Sequence, residues 1–174
     1  MLRITTLPVK EWKQYRDIRL DSLKRAEIAL GGNYNKEKEF LPHHWQHLLL
    51  EATLKDSNFI PLFIKVDSRV IGIGAVKFTN TSKFDHISRL TAIYIKKSYR
   101  GKGIAHKLMN RLIKRAFSNR KIKKIKLIVN QQQIKAVGLY LRSGFRIVGE
   151  LRNEFKVDNR YYDAYLMELE RRKI

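Results

Sequence analysis

Apolar positions recur every second residue in some stretches and every third or fourth in others, and the change of period divides the chain into elements. Leu2 to Leu7 reads as a first strand. Trp12, Tyr15, Leu23 and Ala26 then share one helical face, with Arg16 and Arg19 beside them, until Gly31-Gly32-Asn33 breaks the pattern. A second helix begins near Pro42, which suits a first-turn position, and carries Trp45, Leu48, Leu49 and Ala52 on one side before Asp56-Ser57-Asn58 ends it. Phe59 to Val66 and Val70 to Phe78 are β-rich runs separated by Asp67-Ser68-Arg69, the length and chemistry of a hairpin loop. A further strand closes on Leu90 to Ile95.

After Tyr99-Arg100-Gly101-Lys102-Gly103 a helix starts, with Ile104, Leu108 and Leu112 repeating every four residues. The next strand sets Ile125, Leu127 and Val129 on one side against Lys124 and Lys126 on the other. A short helix from Gln133 to Arg142 stops at Gly144, and Phe145 to Val157 and Arg160 to Leu169 form two strands around an Asp158-Asn159 turn. Hairpins imply antiparallel pairs and the strand–helix–strand segment implies a parallel one, so the expectation is an α/β domain on a mixed sheet, one domain over residues 1–174.

Composition narrows the class. A chain of 174 residues without cysteine has no disulfide, no thiolate nucleophile and no Cys-based zinc site. No apolar run approaches the ~20 residues that span a bilayer, and the first residues lack the apolar core of a signal peptide, so a cytoplasmic protein without a membrane partner is expected. Thirty-seven Lys and Arg against 16 Asp and Glu give +21, a field that attracts phosphates, acidic proteins or nucleic acid without choosing among them. The cations are spread over nearly every segment, unlike the single basic face of most nucleic-acid binders, so nucleic acid is permitted as a partner and not favoured.

The strongest local signal is Ile93-Tyr94-Ile95 followed by Arg100-Gly101-Lys102-Gly103-Ile104-Ala105 at a strand-to-helix junction. Glycines there let the backbone turn sharply, and the first-turn N–H groups of the helix point outward with partial positive charge, a geometry that accepts a phosphate. Neither the spacing of a Walker loop nor the third glycine of the dinucleotide fingerprint is present. Taken alone, the turn reads equally as a tight bend before an ordinary helix.

Arg100-x-x-Gly103-x-Ala105, preceded by Ile93-Tyr94-Ile95 and followed by Ala136-x-x-Leu139-Tyr140-x-x-x-Gly144-Phe145, resembles the GNAT N-acetyltransferase superfamily. The order of elements is similar across almost the whole chain. The resemblance implies transfer of an acetyl group from acetyl-CoA, as co-substrate, to an amine on a small molecule or a protein N-terminus. It implies central parallel strands that splay, with the backbone of Ile93, Tyr94 and Ile95 on the pantetheine. Arg100, Gly101, Lys102, Gly103, Ile104, Ala105 and His106 would hold the pyrophosphate. Many members have Asn three residues before the Ala, where this chain has Gln133, carried here as a cofactor contact; Asn130 lies nearby at a different spacing. Pairing of two copies through terminal strands is expected only by analogy with some members.

The chemistry can also be built from its requirements. An alkyl ammonium with a pKa of about 10 must lose a proton before its nitrogen attacks a thioester. The oxyanion needs N–H donors and the departing thiolate needs a proton. Tyr140, a phenol on the same helical face as Gln133 and Ala136, is a candidate donor; its other reading is a packed aromatic. Family members often place a Glu on the strand before the phosphate loop, yet Ser88-Arg89-Leu90-Thr91-Ala92 has no carboxylate, which leaves Asp85 and His86 as candidate bases, acting directly or through water. No metal is expected: His43, His47 and Glu51 spread over about 12 Å of helix axis, too far to share one ion.

Arg19 reads either as a substrate-gripping cation or as a stem covering apolar surface. Glu27, Glu37 and Glu39 flank the Gly31-Gly32 loop, which borders the acceptor site in the resembled family, and Tyr161, Tyr162 and Asp163 resemble a closing-strand segment near it. The rival to an acetyltransferase is a basic module that binds CoA or nucleic acid without turnover.

Overall fold

The computed structural model describes residues 1–25 and 31–171. Seven strands form one sheet: β1 (Leu2–Thr5), β2 (Phe59–Val66), β3 (Arg69–Phe78), β4 (Ile87–Ile95), β5 (Lys124–Asn130), β6 (Arg146–Val157) and β7 (Arg160–Glu170), in the order β1-β2-β3-β4-β5-β7-β6. Only β4 and β5 run parallel; every other neighbouring pair is antiparallel. The expected mixed α/β sheet is therefore the one observed. The first strand is shorter than its apolar run, because Pro8 follows and the chain enters a turn of 3-10 helix at Val9–Glu11.

Helices cover both faces. Helices α1 (Trp12–Arg25) and α3 (Pro42–Glu51) bury Tyr15, Ile18, Leu23, Trp45 and Leu49 against Phe63, Ile73 and Tyr94 of the sheet. Between them lies α2 (Tyr34–Glu37), a single turn that periodicity does not reveal; the Asn33 side chain accepts from the Lys36 N–H at its start. Ala26 and Glu27 lie outside the described residues. On the opposite face, α4 (Ile104–Phe117) inserts Leu108, Met109, Leu112 and Ala116, each essentially inaccessible, against Val76, Leu90, Ile125 and Leu127, and α5 (Ile134–Arg142) adds Tyr140. Gly144, at φ 91°, ends α5 and lets the Phe145 N–H reach back to the Tyr140 carbonyl at 3.0 Å. Among the described residues no helix is long and apolar enough to cross a membrane.

Two irregularities shape the centre. Ala92 adopts φ 55°, and the β3–β4 register slips between Ile73 and Ala75, so β4 bulges after Thr91. Meanwhile β5 stays paired to β7 as far as Asn130 opposite Ala164. The parallel pairing is consequently confined to Ile87–Arg89 against Lys124–Lys126, and beyond it β4 and β5 diverge.

Candidate active site

The divergence opens a cleft of about 460 Å³ lined by Thr91, Ala92 and Ile93 of β4, Leu127 and Ile128 of β5, and Tyr140 of α5. Strand alternation places Ile93 and Leu127 toward α4 and α5, whereas Arg89, Lys126 and Ile128 face the other side. The cleft is thus lined by residues from both faces of the sheet. Tyr140 sits at its α5 wall, 8% exposed, its ring edge-on to Phe145, and burial pushes its phenol up to about 12. Its hydroxyl therefore stays protonated at neutral pH.

The phosphate-loop expectation meets a definite geometry. Gly101 and Gly103 have φ of 79° and 72°, and an added Cβ would meet no atom within 4 Å at either, so backbone conformation rather than space is the reason for glycine. Gly103 is the N-cap of α4 and has no side chain to offer, which leaves the N–H groups of Ile104, Ala105 and His106 without an intrahelical partner. Arg100 turns back: its Nε donates to the Ile95 carbonyl at 2.8 Å and its guanidinium lies 5.5 Å from the Tyr94 ring centre. Lys102 lies 5.9 Å from the Tyr99 ring centre.

The remaining expected residues are dispersed. Tyr94 turns its side chain into the α1 core, where its hydroxyl donates to Asp21 at 2.9 Å. Ile95 is buried in the opposite core. The Gln133 carbonyl accepts from Ala136 and Val137 at the start of α5. Asn130, fully buried at the splayed end of β5, accepts from the Gln132 N–H, and its Nδ2 has no partner among the described residues. Asp85 and His86 precede β4, at the end away from the phosphate loop, and neither lines the cleft; Asp85 lies 3.8 Å from Lys121 Nζ.

Arg19 is engaged within the protein itself. It makes two bonds to Glu37, at 2.8 and 2.7 Å, and a third to the Gly31 carbonyl at 3.2 Å, pinning the 31–37 segment to α1. Asp163 accepts from the Asn153 N–H at 2.8 Å. No cluster of three or more metal-ligating side chains occurs among the described residues.

Four charged cleft residues escape sequence reasoning: Lys77, Arg89, Lys126 and Glu154. Glu154 is the one carboxylate lining the cleft among the described residues. Strict alternation along β6 would set it opposite Leu151 and Phe155, yet all three line the cleft. The cause is a bulge: four steps from Leu151 to Phe155 face two from Ala164 to Tyr162, with Asn153 at φ 54°. The tolerance of Asn for left-handed φ is the only local hint.

The model of the Acetyltransferase (GNAT) family matches residues 17–145. This chain belongs to the GNAT family. Among similar proteins, the GNAT-family chain is 34% identical over 105 residues to a spermidine N(1)-acetyltransferase of Vibrio cholerae, covering 60% of each. It is 31% identical over 87 residues to that of Escherichia coli K12, covering 49% of this chain and 47% of that protein. The chain thus spans about half the length of the curated relatives it matches. The solved GNAT acetyltransferase from Streptococcus pneumoniae superposes with a TM-score of 0.86 at 22% identity, covering 98% of this chain and 99% of that one. A ribosomal-protein-alanine N-acetyltransferase from Brucella melitensis superposes with a TM-score of 0.79 at 22% identity, covering 97% and 99%. At these identities the structures show the shared fold.

Proposed function

We propose that this GNAT-family chain catalyses acetyl transfer from acetyl-CoA to a primary amine bound in the cleft between β4 and β5. The observation that carries the reading is the cleft itself, walled by a buried phenol and lined by β4, the strand from which the chain runs on to the uncapped N-terminus of α4. The residues present fit the carrier: outward N–H groups at the loop suit a diphosphate, and the unpartnered Asn130 Nδ2 offers a buried donor at the splayed end of β5. The loop N–H groups from Gly101 to His106, with Lys102, would hold the diphosphate, and the backbone around Ile93 and the Gln133 side chain would border the pantetheine arm. Acetyl-CoA supplies an activated acyl thioester, so the protein has only to deliver a neutral amine and receive a thiolate.

Glu154 is assigned the ammonium and its proton, because it stands in the cleft where Asp85 and His86 do not. Tyr140 donates to the leaving sulfur, and its raised pKa keeps that proton in place at neutral pH. The balance is simple: the nitrogen–carbon bond forms, the carbon–sulfur bond breaks, and of the two protons lost from the ammonium one passes to solvent by way of Glu154 while the other replaces the one given to sulfur.

Calorimetry with acetyl-CoA, followed by thiol release on a panel of amines, tests the proposal. Saturable binding and amine-dependent release are expected. Nucleic-acid binding that weakens steeply with salt, without any acetyl-CoA binding, would instead establish the non-catalytic module.

A further inference from the structure

The walls of the cleft carry opposite charges on different strands, and their sum is positive. Lys77 on β3 is registered directly opposite Arg89 on β4, and Arg89 opposite Lys126 on β5, so the three cations form one cross-strand row on the sheet face away from α4 and α5. All three line the cleft. Lys126 is paired, 3.2 Å from Glu168, which also holds Lys124 at 2.9 Å. Lys77 and Arg89 have no carboxylate within 4 Å among the described residues. Like charges placed directly across a ladder destabilise a sheet, so this pair costs stability unless an anion lies over it.

Four other carboxylates among the described residues are already committed. Glu37 is held by Arg19, Asp21 by Tyr94 and Arg25, Asp163 by the Asn153 N–H, and Glu168 by its two lysines. Among the described residues Glu154 is the one carboxylate lining the cleft, on β6, and it has no ion-pair partner. A polycation entering here would find one carboxylate and two unneutralised cations.

Resting on the transferase reading above, we infer that the acceptor is a small amine whose skeleton also carries an anion, a carboxylate or a phosphate. Its ammonium meets Glu154 and its anion meets Arg89, with Lys77 alongside. The planar fork of Arg89 suits two oxygens of either anion. Acetylation removes the ammonium charge and leaves the anion, so the product keeps its grip on the row while losing its hold on Glu154. The chain therefore differs in acceptor class from the spermidine acetyltransferases it resembles in sequence.

Matched pairs of amines separate the possibilities, with thiol release as the readout: butylamine against 4-aminobutanoate, ethanolamine against phosphoethanolamine, and spermidine beside them. The expected result is a kcat/KM at least tenfold higher for one anion-bearing member than for its uncharged partner, with spermidine poorest. Which pair shows the gain identifies the anion. In Arg89→Gln the ratio within that pair collapses to about twofold or less, through KM. Should that variant fail to fold in a thermal scan, the exposed Lys77→Gln carries the same comparison. Spermidine as the preferred acceptor, no release from either anion-bearing amine, or an unchanged ratio in both variants overturns the inference. Turnover of spermidine would leave the transferase reading intact, whereas loss of calorimetric acetyl-CoA binding would remove that reading itself.

Discussion

Arg19 and Glu37, eighteen residues apart, meet in a two-bond ion pair in which each side chain is only 14% exposed. Gly32 sits against this pair so closely that a Cβ there would collide with Arg19 Nη2 and Glu37 Oε1 together. Because Gly31 lines the cleft and its carbonyl accepts from Arg19, the ion pair sets one cleft wall. Arg19→Ala is expected to lower unfolding free energy in urea by about 2 kcal/mol, the scale of a charged, partly buried hydrogen-bond pair. KM for the amine should rise while acetyl-CoA affinity holds, and a double-mutant cycle with Glu37→Ala should show strong coupling.

Gly103 tests the phosphate loop independently of turnover. Any other residue there must hold φ near 72°, at a strain of about 1–2 kcal/mol, although no neighbour blocks its Cβ. Gly103→Val should therefore weaken acetyl-CoA binding by about tenfold or more in calorimetry, with far-UV circular dichroism unchanged.

Tyr140→Phe should lower kcat by about tenfold or more and leave acetyl-CoA affinity close to its starting value, the pattern of an interaction made in the transition state. The same phenol makes an alkaline prediction. Burial raises Tyr140 from 10 to about 12, and Tyr15 likewise. The unfolded chain loses these protons first, so stability is unaffected below pH 10 and declines between pH 10 and 12. Urea midpoints at pH 9 and pH 11 should differ less in Tyr140→Phe than in the parent.

Glu168 sets the acid side. Burial alone would raise its carboxyl, but hydrogen bonds and charge from Lys124 and Lys126 outweigh burial and hold it below the ordinary 4.5. Its contribution is complete above pH 4.5 and is lost as pH falls through the lowered value. Glu168→Gln should cost about 2 kcal/mol at pH 7 and flatten the fall in stability below pH 4.5, followed by urea denaturation across pH.

Local pattern was enough for much of this protein. The alternation of Ile125, Leu127 and Val129, the four-residue spacing of Ile104, Leu108 and Leu112, and the Asp158-Asn159 turn, with φ of 47° and 59°, each express a short-range preference, so strands, helices and their order could be read before any contact was known. The glycines of the phosphate loop were legible for the same reason, since positive φ is a property of single residues.

What lies across the cleft depended on partners distant in the chain. Which face of β6 receives Glu154 turns on a bulge where the Asn153 N–H meets Asp163, ten residues further on, and a shift in pairing reverses a side chain without changing its neighbours in sequence. The fate of Arg19 hung likewise on where Glu37 came to rest. The meeting of Lys77, Arg89 and Lys126 required three strands to align, and interaction between charges depends on their separation in space rather than along the backbone.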